Sequence, residues 1–190
     1  IDKIMDDTPL PITETPSGKD AAYENFPVGS WLLPANLRMH VKVFYKFARA
    51  IDDIADNPDL TADDKIWRLD GFESVLRGYN DPTGNYINSV RMRQSLDQTC
   101  ISTQHCLQLL DAFKQDATKS RYKDWGELMD YCNRSAVPVG RYLLDLHGCS
   151  SNIYGASDAL CSALQVINHL QDCKEDYLNL GRVYLPQNWM

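Results

Sequence analysis

Apolar residues recur every three or four positions over most of the chain, which is the period of an amphipathic α-helix. One predicted helix runs from Pro34, a residue that suits a first helical turn, to about Asn57. A second runs from about Ala156 to Leu180, and Gly181 ends it. The apolar positions of the first helix are Leu37, Val41, Phe44, Tyr45, Ala48, Ile51, Ile54 and Ala55.

Four further helices are predicted between these two. Thr61 opens a stretch that resembles a capping box, and Asp124 precedes a long helix that Pro138 should kink and Gly148 should close. No stretch has a convincing strand pattern, so the pattern predicts an all-α helical bundle. The four predicted helices cover residues 61–77, 86–99, 103–114 and 125–147.

The first part of the chain differs from the rest. Residues 1–24 are polar and contain several prolines, which predicts a lead-in that is at most partly ordered. Residues 25–33 are an apolar entry segment, so residues 25–190 are interpreted as one helical domain. Because the chain starts at Ile1 without an initiator Met, we expect a fragment of a longer protein.

Composition excludes several classes of protein. A net charge of −7, a pI near 5.0 and scattered arginines argue against a nucleic-acid partner. The six cysteines form no CxxC pair and fall in predicted helices, so we expect them to be reduced and buried in a cytoplasmic protein. No apolar run approaches the roughly 18 residues that a membrane-spanning helix needs.

Two predicted helices carry acidic pairs at helical spacing. Asp52 and Asp56 are four residues apart, as are Asp172 and Asp176, so each pair shares one helix face, and Glu175 shares the second. Carboxylates on two facing helices suit hard divalent cations. Mg²⁺ is usually held by one or two carboxylates plus substrate phosphates, which leaves room for a bridged diphosphate.

Each of these residues also has a plainer interpretation. A single acidic pair at this spacing is usually a solvated surface. Arg49 could pair with Asp52 or hold a phosphate, and Tyr45 and Tyr131 are often core residues. His169 suits a hydrogen bond better than a metal. If a carbocation forms after diphosphate departs, aromatic faces would stabilise it; the candidate wall residues are Phe26, Trp31, Phe44, Tyr45, Phe47 and Tyr131.

The two acidic segments resemble a known pair of motifs. RAIDDIAD and QDCKEDY stand in this order about 120 residues apart, like the two aspartate-rich motifs of squalene and phytoene synthases. RVYLP at 182–186 follows where that family has it, and the similarity covers roughly residues 25–187. The resemblance implies an all-α, single-domain isoprenoid-synthase-type helical bundle, with further C-terminal helices beyond these residues.

Three local segments resemble one bacterial branch of that family. They are ENFPVGSWLLP at 24–34, YCNRSAVPVGR at 131–141 and NHLQDC at 168–173, and they are similar to the hopanoid-pathway enzymes. The resemblance implies Mg²⁺-assisted ionisation of presqualene diphosphate, rearrangement of the cation and capture by water, giving hydroxysqualene and diphosphate without NADPH.

The resemblance also assigns roles to residues. Asp52, Asp56, Asp172 and Asp176 would hold Mg²⁺, with Glu175 supporting them. The diphosphate or its bound water would be contacted by Arg49, Asn168 and Arg182. The substrate would be lined or positioned by Gln165, Tyr45, Tyr131 and Tyr184. Because substrate and product are lipids, peripheral contact with the inner membrane from the cytoplasm is expected.

Departures from the family pattern keep alternatives open. The chain has Gln171 where many members have a basic residue, and Ser135 to Gly140 reads SAVPVG rather than the common VAG-containing segment. Fewer basic contacts suit one diphosphate better than two. The alternatives are head-to-head condensation of two prenyl diphosphates, as in presqualene diphosphate, squalene or phytoene synthases, and a non-catalytic relative that assists assembly or binds lipids.

Overall fold

The computed structural model of the chain describes residues 13–14, 33–81 and 83–190 and confirms the all-α class. Most of the predicted lead-in and of the apolar segment 25–33 lies outside these residues. The helices are α1 Ala35–Asp56, α2 Ala62–Leu76, α3 Ile87–Thr99, α4 Gln104–Asp116, α5 Trp125–Ser135, α6 Val137–Leu146, α7 Tyr154–Gln171 and α8 Cys173–Leu180.

Helix α1 is the centre of the larger hydrophobic core. Its apolar stripe is buried against α2, α3 and α4, as its three-and-four spacing predicts. Phe44 stacks on Tyr142 of α6 with ring centroids 4.0 Å apart, and Phe47 packs on Phe72 of α2. Thr61 caps α2 as predicted, because its hydroxyl accepts a hydrogen bond from the backbone N–H of Asp64. This packing holds the C-terminal end of α1 in a fixed place.

The single long helix predicted over 125–147 is wrong. The structure has two helices, α5 and α6, separated at Ala136, whose φ of −118° and ψ of −45° leave the regular helical geometry. Pro138 explains the break, because its ring lacks an N–H and would collide with the carbonyl of residue 134 in a continuous helix. Proline is instead tolerated in the first turn of α6. Asp124 caps α5, and Gly148 has a φ of +67°, as expected.

The last predicted helix is also divided, at Asp172. This residue has a φ of −93° and a ψ near 0°, the sparsely populated bridge region. Hydrogen bonding continues across it, since Asp172 N–H donates to the Asn168 carbonyl and Asp176 N–H to the Asp172 carbonyl, at 2.9 and 2.8 Å. The junction of α7 and α8 therefore falls on the first aspartate of the second motif. Gly181, with a φ of +63°, ends α8 as predicted.

A short parallel strand pair contradicts the expectation that the chain has no strand. Strand β1, Arg121–Tyr122, pairs with β2, Val183–Pro186. Two residues are too few to show an alternating pattern, and the partner lies about 60 residues along the chain, so local sequence does not reveal the pairing. The pair places Tyr184 in a second hydrophobic cluster with Tyr122 and Tyr131.

The cysteines only partly match their prediction. Cys106 and Cys132 are buried, but Cys100 and Cys149 are exposed because they follow the ends of α3 and α6 rather than facing the core. All six are free thiols. Within residues 13–14, 33–81 and 83–190, no helix combines the length and the apolar character needed to cross a bilayer.

Candidate active site

The first aspartate pair lies on the last turns of α1 and is held by an arginine of the same helix. Arg49 Nη2 lies 3.1 Å from Asp52 Oδ2, and Arg49 Nε donates to Asp53 Oδ1 at 2.9 Å. Asp53 is buried, whereas Asp52 is partly open. Of the two interpretations of Arg49, the structure shows the ion pair. The sequence analysis did not single out Asp53, which forms half of it.

The carboxylates of this segment are electrostatically crowded. Although the side chain of Asp52 keeps 29% of its exposure, desolvation by the surrounding protein raises its pKa well above the ordinary value. The negative charge of Asp56 raises it further, against the opposing effect of Arg49. A divalent cation would offset this repulsion. The donor chemistry of the segment therefore fits a hard metal ion that prefers carboxylate oxygens.

Arg182 connects the two aspartate-rich segments. The residue is 4% exposed, and its Nη1 donates to Asp56 Oδ1 at 2.8 Å. Its backbone N–H donates to the carbonyl of Asp176 at 3.2 Å. The residue was predicted to contact diphosphate or bound water. In the structure its side chain bonds Asp56, and its contact with a ligand stays a prediction.

The second segment is far more open than the first. Asp172 and Glu175 are exposed, and Asp176 is half-buried in the first turn of α8. In the part of the chain that the structure describes, no group of three or more His, Cys, Asp or Glu side chains is close enough to hold an ion without other ligands. The metal-binding roles of the aspartates stay predictions. An ion bridged by few carboxylates and a phosphate would not need such a cage.

A buried polar cluster lies behind Arg182, and sequence reasoning missed its central residue. Asp116, the last residue of α4, accepts hydrogen bonds from Tyr131 Oη at 2.6 Å and Tyr184 Oη at 3.1 Å. Arg182 Nη1 donates to Tyr184 Oη at 2.9 Å, and Nη2 donates to the Asp116 carbonyl at 2.9 Å. An aspartate at the negative end of a helix dipole is unfavourable, and this was the one signal that could have drawn attention to it.

Burial shifts the titration of every member of this cluster. It raises the pKa of Asp116 to about 7, although Arg182 opposes the shift. Burial, followed by the charge of Asp116, holds the pKa of Tyr131 and of Tyr184 well above the ordinary tyrosine value. Both phenols therefore stay protonated at neutral pH and can donate to Asp116.

His169 completes the same cluster from α7. Its ring stacks on Tyr184 at a centroid distance of 3.7 Å, and burial lowers its pKa to about 3, so the imidazole is neutral. Its Nε2 makes no hydrogen bond to any residue that the structure describes. Stacking thus takes the place of the hydrogen bond expected at Nε2.

The predicted aromatic wall is wrong at Phe44 and Phe47. Phe44 and Phe47 are fully buried in the main core, and Tyr131 is buried at the Asp116 cluster. The three-and-four pattern that places these rings on helices turns them toward other helices. Tyr45 is half-buried and packs against the main core, while Phe26 and Trp31 lie outside the described residues.

Helix α7 instead presents an exposed apolar face beside the second segment. Leu160, Leu164 and Asn168 precede Asp172 at intervals of four, so they follow one side of the helix up to the carboxylate. Gln165 and Asn168 are half-buried on this helix. The exposed large apolar residues of α7 are Leu160, Leu164, Ile167 and Leu170.

Comparison with known proteins agrees with this arrangement. The family model described as squalene/phytoene synthase matches residues 20–190. The chain belongs to the squalene/phytoene synthase family. Members of this family act on prenyl diphosphates and generally use a divalent metal.

Individual relatives refine the similarity. The chain is 47% identical to a hydroxysqualene synthase of Rhodopseudomonas palustris over 93% of this chain and 59% of that protein. It is 47% identical to a hydroxysqualene synthase of Sinorhizobium fredii over 87% of this chain and 56% of that protein. It is 31% identical to a phytoene synthase of Mycobacterium tuberculosis over 88% of this chain and 54% of that protein. The chain therefore spans a little over half the length of these curated relatives.

A solved structure shares the fold. A squalene synthase from Alicyclobacillus acidocaldarius superimposes with a TM-score of 0.74 at 36% sequence identity, covering 87% of this chain and 62% of that one. The all-α isoprenoid-synthase fold expected from the motifs is thus confirmed.

Proposed function

We propose that the chain carries the catalytic core of a hydroxysqualene synthase, which converts presqualene diphosphate and water to hydroxysqualene and diphosphate. The observation that carries the proposal is the contact of Arg182 with both aspartate-rich segments, at the Asp56 carboxylate and the Asp176 carbonyl. The choice within the family is supported by 44–47% identity to three hydroxysqualene synthases, against 31% for bacterial phytoene synthases.

The metal in this proposal is Mg²⁺. When bound, it would neutralise the departing diphosphate and so favour cleavage of the carbon–oxygen bond. The crowded carboxylates at Asp52 and Asp56, with the raised pKa of Asp52, support a cation at this end of α1. The residues that would hold it are Asp52, Asp56, Asp172 and Asp176, with Glu175 in support.

The reaction itself makes modest demands on the protein. The C–O bond breaks, diphosphate leaves with the electron pair, the cyclopropylcarbinyl cation rearranges, and a water oxygen adds and releases its proton. The protein must exclude stronger nucleophiles from the cation.

The exposed apolar face of α7 supports a lipid substrate. Leu160 and Leu164 lie on the same helix side as Asn168 and Asp172. An isoprenoid tail lying along these leucines would place its diphosphate beside Asn168 and the carboxylates. In this arrangement Gln165 and Tyr45 would line the substrate, and Arg49 would stay with Asp52 or turn to the diphosphate.

Product analysis tests the proposal. Full-length protein is incubated with Mg²⁺ and without nicotinamide, with presqualene diphosphate in one tube and farnesyl diphosphate in the other, and the extracts are identified by mass spectrometry. We expect hydroxysqualene from the first tube alone. The Asp52→Asn variant should lose this product, and Asp59→Asn, an exposed aspartate just beyond α1, should keep it.

One observation favours a second candidate. The structural neighbour at 36% identity is named a squalene synthase, so head-to-head condensation of two farnesyl diphosphates is the alternative. Presqualene diphosphate in the second tube would establish condensation. No product in either tube, with folded protein, would leave the non-catalytic relative as the better account.

We also propose that the protein is cytoplasmic and contacts the inner membrane peripherally. The reason is chemical, because the proposed substrate and product are lipids. Co-sedimentation of the full-length protein with liposomes tests this, and its absence at any lipid composition would contradict the membrane contact while leaving the reaction unaffected.

A further inference from the structure

Asp116 is a buried carboxylate whose contacts all lead toward the aspartate-rich segments. Its side chain is 2% exposed at the end of α4. A buried carboxylate is costly unless hydrogen bonds compensate it, so its partners define its role. Both oxygens are used, Oδ2 by Tyr131 and Oδ1 by Tyr184, and Oδ1 also lies 4.0 Å from Arg182 Nε.

These contacts form a directed series of donors. Arg182 Nη1 donates to Tyr184 Oη, and Tyr184 Oη donates to Asp116 Oδ1. The same Nη1 donates to Asp56 Oδ1 at 2.8 Å. Because Tyr184 Oη uses its single proton toward Asp116, it can only accept from Arg182. The carboxylate at position 116 therefore sets the orientation of the guanidinium.

Lys65, the neighbouring cation, does not take the place of Arg182 in orienting Asp56. Lys65 is close enough for its charge to be affected by Arg182 and Asp56, but its ammonium donates to the Ala55 carbonyl at 2.8 Å. Among the described residues, Arg182 forms an ion pair with Asp56, with Nη1 lying 2.8 Å from Oδ1. The orientation of the Asp56 carboxylate therefore depends on Arg182, and through it on Asp116.

We propose that Asp116 is a positioning residue for the metal and diphosphate site: through Tyr184 and Arg182 it fixes the carboxylate of Asp56, without touching metal or substrate itself. The inference rests on the proposed function, since it takes Asp56 as a metal ligand. Groups that orient a metal ligand affect metal affinity by about 10- to 100-fold when they are changed.

The Asp116→Asn variant tests this with little change of shape. The amide oxygen can still accept from one tyrosine, but the NH₂ group would face the other hydroxyl. For Tyr184 that hydroxyl already accepts from Arg182. Whichever way the amide turns, the charged acceptor at the end of the series is lost, so its hold on Tyr184 and Arg182 is weakened. The matched control is Asp111→Asn on the same helix, an exposed aspartate that pairs with Arg134 at 2.6 Å, away from the site.

The measurement is isothermal titration of the full chain with MgCl₂ in the presence of inorganic diphosphate. We expect Asp116→Asn to weaken binding by roughly tenfold or more and Asp111→Asn to match the wild type. Unchanged affinity in Asp116→Asn would overturn the inference whatever its melting temperature. A wild-type chain that does not bind the pair at all would overturn the proposed function as well.

A double-mutant cycle separates positioning from general support of the fold. If Asp116 acts through Arg182, Asp116→Asn combined with Arg182→Lys should bind Mg²⁺ and diphosphate no more weakly than Arg182→Lys alone. Additive losses would contradict the route through Arg182. Should Asp116→Asn fail to fold, Tyr184→Phe removes only the relaying hydroxyl. It should weaken binding in the same direction, and wild-type affinity in that variant would overturn the inference.

Discussion

The two aspartate-rich segments have the same spacing but very different surroundings. The segment at Asp52 and Asp56 ends a helix buried in the main core, and two arginines hold its carboxylates. The segment at Asp172 and Asp176 spans the junction of two helices, with Asp172 and Glu175 exposed. The first is preorganised by tertiary packing, whereas the second lies at a helix junction and keeps two of its three carboxylates, Asp172 and Glu175, exposed.

This difference indicates two ways in which a helical bundle can prepare carboxylates for a metal ion and a diphosphate. The rigid segment accepts the cost of crowded carboxylates, because its core and arginines fix them before any ligand arrives. The open segment keeps its carboxylates solvated until a metal and a phosphate bind. If the comparison is correct, changing a carboxylate of the first segment should affect folding as well as function, and changing an exposed carboxylate of the second segment should affect function alone.

The largest effect is expected from Arg182→Gln. Removing a buried guanidinium leaves Asp56 and Asp116 without their cation, which should lower the free energy of unfolding by about 3–5 kcal/mol. Arg77→Gln, which breaks the surface pair with Glu73, should cost less than about 1 kcal/mol. Urea unfolding of both variants measures this. Equal losses would show that the α1 side is not specially supported.

Asp52→Asn and Asp172→Asn compare the segments directly. Each should reduce turnover of presqualene diphosphate by at least roughly 100-fold, because each removes a ligand charge. Asp52→Asn should also raise the free energy of unfolding by about 1 kcal/mol, since it relieves repulsion from Asp56. Asp172→Asn should leave folding unchanged, as the residue is exposed. Turnover assays and urea unfolding at pH 8 check both parts; full activity in both variants would remove the metal-site proposal.

The pH dependence of the free energy of unfolding should report the titration of the buried carboxyl group of Asp116. Burial raises the pKa of Asp116 from 3.8 to about 7, so the folded chain holds a proton that the unfolded chain releases above about pH 4. The resulting stabilisation is complete at low pH and is lost as the pH rises through 7, at up to about 1.4 kcal/mol per pH unit. In urea unfolding from pH 5 to 8 without divalent metal, Asp116→Asn should show a flatter decline than the wild type. An equally steep decline in Asp116→Asn would mean that a group other than Asp116 takes up the proton on folding.

The smallest effect is expected at the turn that returns the chain from α8 to Arg182. Gly181 has a φ of +63° and open space around its Cα, so Gly181→Ala should cost about 1 kcal/mol from backbone strain alone. Gly155→Ala, at an open helical position in α7, is the control and should be neutral or slightly stabilising. Thermal unfolding compares them. A neutral Gly181→Ala would mean that this turn adapts without cost.

Features that depend on neighbours in the chain could be predicted from the sequence. Thr61 and Asp124 cap their helices, and Gly148 and Gly181 end theirs, because capping involves residues only a few positions apart. The spacing of Asp52 and Asp56 similarly places both on one face of α1. Pro138 was read correctly as a disruption, but the break lies at Ala136, because proline acts on the preceding turn.

The Asp116 cluster could not be predicted in this way. Its members come from α4, α5, α7 and the chain at β2, and the bond from Tyr184 to Asp116 joins residues 68 positions apart. No pattern of neighbouring residues predicts a contact between residues so far apart in the chain. The aromatic wall failed for the same reason, since periodicity shows that Phe44 and Phe47 share a helix face but not what that face packs against.

Most of the helices, several of their caps, the two aspartate pairs and, through their resemblance, the family could be predicted from the sequence. These are matters of local backbone preference and of residue spacing along one helix. The tertiary structure alone decided which carboxylates are buried, and that Arg182 reaches Asp56 across 126 positions while Asp116 orients it. Burial, and the energy of a charge within it, depend on packing between distant segments, which spacing along the chain does not contain.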